Sequence, residues 1–204
     1  MNTRLIAITG GIGAGKSVVS RILRCMGYNV IDSDSLAREL MDNDNSIKEA
    51  LNSRIAPDVV VNGIINRQRL ASIVFSNSDK LATLNAIVHA SVRDTLAKIV
   101  QNSSDTVLFV ETAILYQSHL NRQVDAEWRV DAPEEIRITR VMQRNAISAE
   151  QVKARIEAQR FTPDNSEPTP PITTITNDNS SPILPQILKA LSFYQGRYLC
   201  LVLK

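Results

Sequence analysis

The chain has 204 residues, 44% of them hydrophobic and 22% charged, and its 23 Lys and Arg against 21 Asp and Glu leave a formal net charge of +2. Such numbers suit a single compact domain with a buried core, and they give no bulk electrostatic reason for a nucleic-acid or membrane-surface partner. No apolar run approaches the ~18 residues of a membrane span, and the N-terminal apolar stretch is too short for a signal-peptide core, so a cytoplasmic protein is expected.

In chain order, Leu5–Thr9 (LIAIT) reads as a buried strand that stops at glycine. Gly15–Met26 predicts a helix with Val18, Val19, Ile22, Leu23 and Met26 on one side, ended by Gly27. Cys25 lies in it, and Cys200 far beyond; the pair matches no metal-ligand spacing and reads as buried or half-buried thiols. Asn29–Asp32 (NVID) is a second strand, and Ser33 or Asp34 is positioned to cap the helix DSLARELM. Strand, glycine loop, helix and strand spell a βαβ unit with parallel strands.

From Ser46 to Gln101 the pattern is mostly helical, with VNG at 61–63 marking a turn, as an inserted substrate-holding element would be. Thr106–Glu111 (TVLFVE) is a buried strand ending in an acid, and Trp128–Val130 a shorter one. Pro133, followed by Glu134 and Glu135, opens a helix to about Arg144, and Ser148 caps another to Arg160. Pro, Ser, Thr and Asn then dominate residues 161–182, a loop in which ITTIT supplies the last sheet strand. Ile183–Tyr194 reads as a closing helix and YLCLVL as a terminal strand or tail.

The four glycines of Gly10–Ser17 (GGIGAGKS) ask for a reason, since each costs roughly 0.5–1 kcal/mol in regular structure. The segment fits G-x-x-x-x-G-K-[ST] between a strand and a helix. There, backbone N–H groups curl around a phosphate, the helix N-terminus adds its positive end, Lys16 bridges the terminal phosphates and the Ser17 hydroxyl ligates Mg²⁺. No N-K-x-D guanine-reading motif occurs. The short spacing to the second acidic strand end fits small-molecule kinases.

Several other residues carry two readings. Asp32 and Asp34 share a face of an extended segment; they are a helix cap plus a solvated acid, or a general base for an acceptor hydroxyl and a holder of Mg²⁺. Glu111 is a strand-end acid or an organiser of the Mg²⁺ water shell. Arg137, Arg140 and Arg144 form one helical stripe, either a solvated face or a grip on phosphates and adenine; Arg155 is a weaker candidate on the next helix. His89 lies in an apolar helical stretch as a core-edge residue or a substrate contact. Arg67 and Arg69 are surface charges or pocket cations.

The run GGIGAGKS followed by GYNVIDSDSLARE resembles the dephospho-coenzyme A kinase family, and the resemblance continues through NGIINRQRLASIVF, LNAIVH, VDAPEEIRITRVMQR and EQVKARIEAQ, with NDN at 177–179 a fainter echo. It implies a three-layer α/β sandwich with a parallel five-stranded sheet, a P-loop fold of nucleoside-monophosphate-kinase-like type. Residues 1–204 would be one kinase domain, with a helical acceptor subdomain at 35–105 and a lid at 140–160. It implies transfer of phosphate from ATP, with Mg²⁺, to the ribose 3′-hydroxyl of dephospho-coenzyme A. Asp34 matches the family's base, with Asp32 supporting it or the metal shell, and Lys16 would be catalytic by neutralising the phosphates; Gly11, Ile12, Gly13, Ala14, Gly15, Lys16, Ser17, Val18, Arg140 and Arg144 would bind the nucleotide. Asp34, Arg67 and His89 would meet the acceptor, and Ser17, Asp32 and Glu111 the metal. The expected partner is the small-molecule substrate alone, with no nucleic acid and no membrane, in a monomer or weak homo-oligomer. Val18 stands where the family usually has threonine, Ala90 where it has proline, and Gln117 where a glutamate is common. The alternatives are another small-molecule or nucleoside kinase of the same fold, and a nucleotide-binding protein without catalysis.

Overall fold

A computed structural model describes residues 3–159 and 168–194 of the chain. Strand β1 (Arg4–Thr9) runs through the glycine loop into helix α1 (Lys16–Cys25), and β2 (Val30–Asp32) leads directly into α2 (Ser33–Asn43). Helix α3 (Asn45–Arg54), a hairpin of β3 (Val60–Val61) and β4 (Ile64–Ile65), α4 (Arg67–Phe75) and the long α5 (Ser78–Asn102) follow. The chain then forms β5 (Val107–Glu111), a 3₁₀ turn at Leu120–Arg122, β6 (Ala126–Asp131), α6 (Glu134–Asn145), α7 (Ala149–Ala158), β7 (Ile172–Thr176) and α8 (Ile183–Ser192).

The main sheet has five strands in the order β2-β5-β1-β6-β7, parallel throughout. Alternation along each strand feeds two cores. Ile6 and Ile8 of β1 and Phe109 of β5 point to the layer of α1 and α8, where they meet Val19, Leu23, Trp128 and Ile187. Leu5, Ala7, Leu108 and Val110 point to the other face, against Val88, Val92 and Leu96 of α5. Two covered faces make the near-continuous apolar strands of a buried parallel sheet. The three-layer α/β sandwich expected from the sequence is the observed architecture. Among the described residues no helix is long and apolar enough to cross a membrane.

A third core, built from Ile47, Leu51, Val59, Leu70, Val74 and Ile87, lies among α3, the hairpin, α4 and the first part of α5. Helix α5 therefore serves two cores, packing on the sheet with its middle and on the helical block with its start. A fourth, small core joins α6 and α7 through Val141, Val152 and Ile156, and Ile12 of the glycine loop packs against it.

Several local expectations are corrected. The buried face of α1 is Val19, Ser20 and Leu23, while Val18 and Met26 are largely exposed. Cys25 lies off that face, exposed and free, so it is not a core thiol. The cap of α2 is Asp32, one residue before the expected pair, its Oδ1 accepting from Ser35 N at 2.8 Å. The VNG turn closes a two-residue hairpin with Asn62 and Gly63 both at positive φ, the conformation of a type I′ turn. The helix expected to run to Tyr194 ends at Ser192. Residues 160–167, Cys200 and the YLCLVL run lie outside the described residues.

Candidate active site

Strand β1 delivers the glycine loop to the carboxyl edge of the sheet, where β2 and β5 end beside it. Asp32 and Glu111 are register partners across those two strands, so two carboxylates stand side by side at the edge that faces the loop. In open α/β sheets this crevice beyond the strand ends is where ligands sit. A cavity of about 380 Å³ occupies it, lined by Ile12, Gly13, Gly15, Lys16, Ser17 and Val18 of the loop and first turn, by Asp32, Asp34 and Glu111, and by Arg140 and Arg144 of α6.

Electrostatics makes the convergence explicit. Burial pushes the Lys16 ammonium below its ordinary pKa; the Glu111 and Asp34 carboxylates oppose that shift, and Arg144 and Arg137 add to it. Lys16 Nζ donates to Gly10 O at 2.8 Å and reaches Gly11 O at 3.4 Å, so the cation is held along the loop it serves. Ser17 is exposed at the start of α1 and lines the same cavity. Hydroxyl and carboxylate oxygens suit a hard cation such as Mg²⁺. Among the described residues no three His, Cys, Asp or Glu side chains form a metal cage of their own.

Asp34 stands at a junction. It lines the main cavity and also a smaller one of about 90 Å³ between α2, α5 and the loop after β5, where His89, Arg93 and Thr112 lie. Its neighbour Arg38 donates to the Asp34 backbone carbonyl at 3.1 Å. His89 is half-buried, and burial first, then the charges of Arg93 and His119, lower its pKa from 6.5. Arg93 itself donates to Ser118 O at 2.6 Å.

Not every expected residue joins this centre. Arg67, the first residue of α4, pairs with Asp42 of α2 at 2.6 Å with both side chains 55% exposed, and it lines neither cavity. Gly11 faces a separate cavity of about 290 Å³ beside Tyr116, Glu127 and Arg129. Ala14 is buried, its methyl in the core below the sheet. Glu127 in that neighbouring cavity is wholly buried and held by the Tyr116 hydroxyl at 2.6 Å and Arg129 at 2.7 Å. Burial first, then this hydrogen bond, raise the Tyr116 pKa to about 12.

Three contacts to the loop backbone were not assigned by the motif reading. Arg137 Nε donates to Ile12 O at 3.0 Å, Gln159 Oε1 accepts from Ile12 N at 2.8 Å, and Asn177 Nδ2 donates to Ala14 O at 2.8 Å. Arg140, which lines the main cavity, also donates to Gly13 O at 3.3 Å and to the backbone carbonyl of Asn177 at 3.0 Å. All four hold backbone groups of the loop. Their sequence signals were a cation stripe, a terminal Gln and an Asn-rich turn, none of which states a partner.

The geometry is matched by comparison with known proteins. A dephospho-CoA kinase family model matches residues 4–182. The chain is 44% identical over 154 residues to the dephospho-CoA kinase of Porphyromonas gingivalis, covering 76% of each chain. It is 34% identical over 198 residues to that of Bacteroides fragilis, covering 96% of each. A crystal structure from Thermus thermophilus superposes with a TM-score of 0.74 at 34% identity, over 94% of this chain and 97% of that one. The dephospho-CoA kinase of Campylobacter jejuni, at 22% identity and a TM-score of 0.63 over 94% and 98%, shares the fold.

Proposed function

The chain belongs to the dephospho-CoA kinase family and forms coenzyme A from dephospho-CoA with ATP as its second substrate; we propose that Lys16, Ser17 and Asp34 carry the transfer. The observation that supports this assignment is the single cavity in which the loop lysine, the Ser17 hydroxyl and the Asp34 carboxylate meet.

In this reading the glycine loop and the N-terminus of α1 hold the nucleotide phosphates, and Lys16 neutralises charge on the β and γ oxygens. Ser17, Asp32 and Glu111 are the oxygen donors that would hold Mg²⁺, which when bound offsets phosphate charge. Asp32 already spends Oδ1 on the α2 cap, so Oδ2 is the oxygen it offers. Asp34 orients the acceptor 3′-hydroxyl and takes its proton as the oxygen bonds to the γ-phosphorus and the bond to the β-phosphate oxygen breaks. Phosphoryl transfer passes through a loose transition state, so placement and charge stabilisation supply most of the acceleration.

The acceptor reaches Asp34 through the smaller cavity, which gives His89 a place beside it. Helices α2–α5, close to the 35–105 block, act as the acceptor subdomain, and the α6–α7 segment at 140–160 as a lid whose Arg144 faces the phosphates. Arg67 is left as a surface cation, and Arg140 acts chiefly on the loop.

The direct test incubates purified protein with ATP, Mg²⁺ and dephospho-CoA and follows ADP release together with coenzyme A by mass. Stoichiometric ADP and coenzyme A, formed only when the acceptor is present, are expected. ADP release without acceptor, or transfer to a nucleoside or sugar panel in preference to dephospho-CoA, would overturn the assignment.

A further inference from the structure

A loop that turns its amides inward around phosphate must turn the matching carbonyls outward. In a trans peptide the C=O and N–H point in opposite directions, so whatever fixes a carbonyl on the outside also aims the next residue's N–H on the inside. Asn177, at the carboxyl end of β7, does this for the Ala14–Gly15 peptide. Its side chain is buried, and Nδ2 donates to Ala14 O at 2.8 Å.

The amide orientation is forced by its partners. A carbonyl can only accept and a guanidinium can only donate, so Nδ2 faces Ala14 while Oδ1 accepts from Arg140 Nη2 at 3.1 Å. The Asn177 backbone is anchored as well, its N–H donating to Asp131 O at 2.8 Å as an extension of the β6–β7 ladder. Gly15 completes the arrangement. It sits at φ 101, and a Cβ there would run into Asn177 Nδ2, so the asparagine fills the space that glycine leaves.

We propose that Asn177 is a positioning residue for phosphoryl transfer, presetting the Gly15 amide toward the nucleotide phosphates from behind the loop, with Arg140 as its brace. The inference rests on the reading that this loop binds ATP. It predicts an effect confined to the nucleotide side of the reaction, because nothing in the Asn177 contacts reaches the Asp34–His89 cavity.

Asn177→Asp tests it. The substitution keeps the shape and the Arg140 partner but sets an acceptor oxygen against Ala14 O. Expected are an about tenfold weaker ADP affinity by calorimetry and a matching rise in the KM for ATP, the scale of one lost and one repulsive hydrogen-bond contact. The KM for dephospho-CoA stays within about twofold of the parent, as expected when only phosphate-side binding changes. ADP affinity within twofold of the parent protein, or an equal rise in both KM values, overturns the proposal. If the aspartate variant does not fold, Asn177→Ala takes its place with an expected loss of about threefold; failure of both to fold assigns Asn177 a purely structural role and also overturns it. ADP binding needs no acceptor, so a parent protein that binds ADP yet leaves dephospho-CoA unphosphorylated refutes the functional assignment and leaves this test intact.

Discussion

Asp34 and His89 are neighbours across one small cavity, yet single substitutions at the two should read out in different quantities. Asn at position 34 keeps the shape and removes the proton acceptor. Asp34→Asn should lower kcat by about 10²–10⁴ while the KM for ATP moves less than about threefold. Steady-state kinetics with each substrate varied in turn decides it, and a comparable loss in ATP affinity would remove Asp34 from the role of base. His89 titrates instead against stability. Its folded-state pKa is held below 6.5 by burial, Arg93 and His119, so the unfolded chain binds the proton more readily. Its contribution is fully present above pH 6.5 and is lost as the pH falls toward the folded value. His89→Gln should therefore flatten the decline in thermal midpoint below that pH; melting curves at a series of acidic pH values give the answer, and parallel declines would contradict it. Asp34 stood out in the sequence as one of two acids at a strand end, whereas His89 in its apolar helix was singled out only by the family resemblance. Arg67 was not separable from a pocket cation on the page of sequence; only its pairing with Asp42 shows where its charge is directed.

At the scale of elements, periodicity and punctuation carried far. Four of the five sheet strands follow from apolar runs that stop at Gly, Asp or Glu, β7 (ITTIT) from its β-branched residues within a Pro- and Asn-rich stretch, and Ser148 caps α7 in a full capping box with Gln151. Periodicity failed where the tertiary partner, not the local pattern, chooses the face. In α1 the apolar Val18 is 45% exposed and the polar Ser20 is fully buried, because the helix start is angled to present Lys16 and Ser17 to the cavity. The β3–β4 pairing, two residues a side, is too short for any alternation to register, although its Asn-Gly turn is plain. The outer grip on the glycine loop was hidden for another reason. Arg137, Gln159 and Asn177 approach Ile12 and Ala14 across 125, 147 and 163 residues of sequence, and side chain to backbone contacts leave no complementary residue type to look for. Their effect joins elements that look separate in sequence: Ile12 gives its side chain to the α6–α7 core, its carbonyl to Arg137 and its amide to Gln159, so α6 and α7 both meet the glycine loop there.

For the whole molecule the question is whether the helical block moves as its own unit. It owns a core around Ile47, Leu51, Val59 and Leu70, distinct from the sheet cores, yet Leu40, Met41 and Leu84 pack against both it and the sheet-side cluster. Separate cores favour independent opening, while shared residues couple the two. Acceptor entry between α2 and α5 needs the first to prevail, since a block welded to the sheet would not part from it without wholesale unfolding. Leu51 is fully buried in the block core, and Leu51→Ala should cost that core about 2–5 kcal/mol. If the block is a unit, native-state hydrogen exchange in this variant accelerates across α3, the hairpin, α4 and the start of α5, while amides of β1 and β5 keep the protection of the parent protein. Equal acceleration in the sheet strands would mean that Leu40, Met41 and Leu84 bind the two bodies into one cooperative fold, and acceptor access would then have to come from movement of α6 and α7 alone. The two outcomes differ in which end of the crevice opens to admit the acceptor, the helical block or the α6–α7 segment.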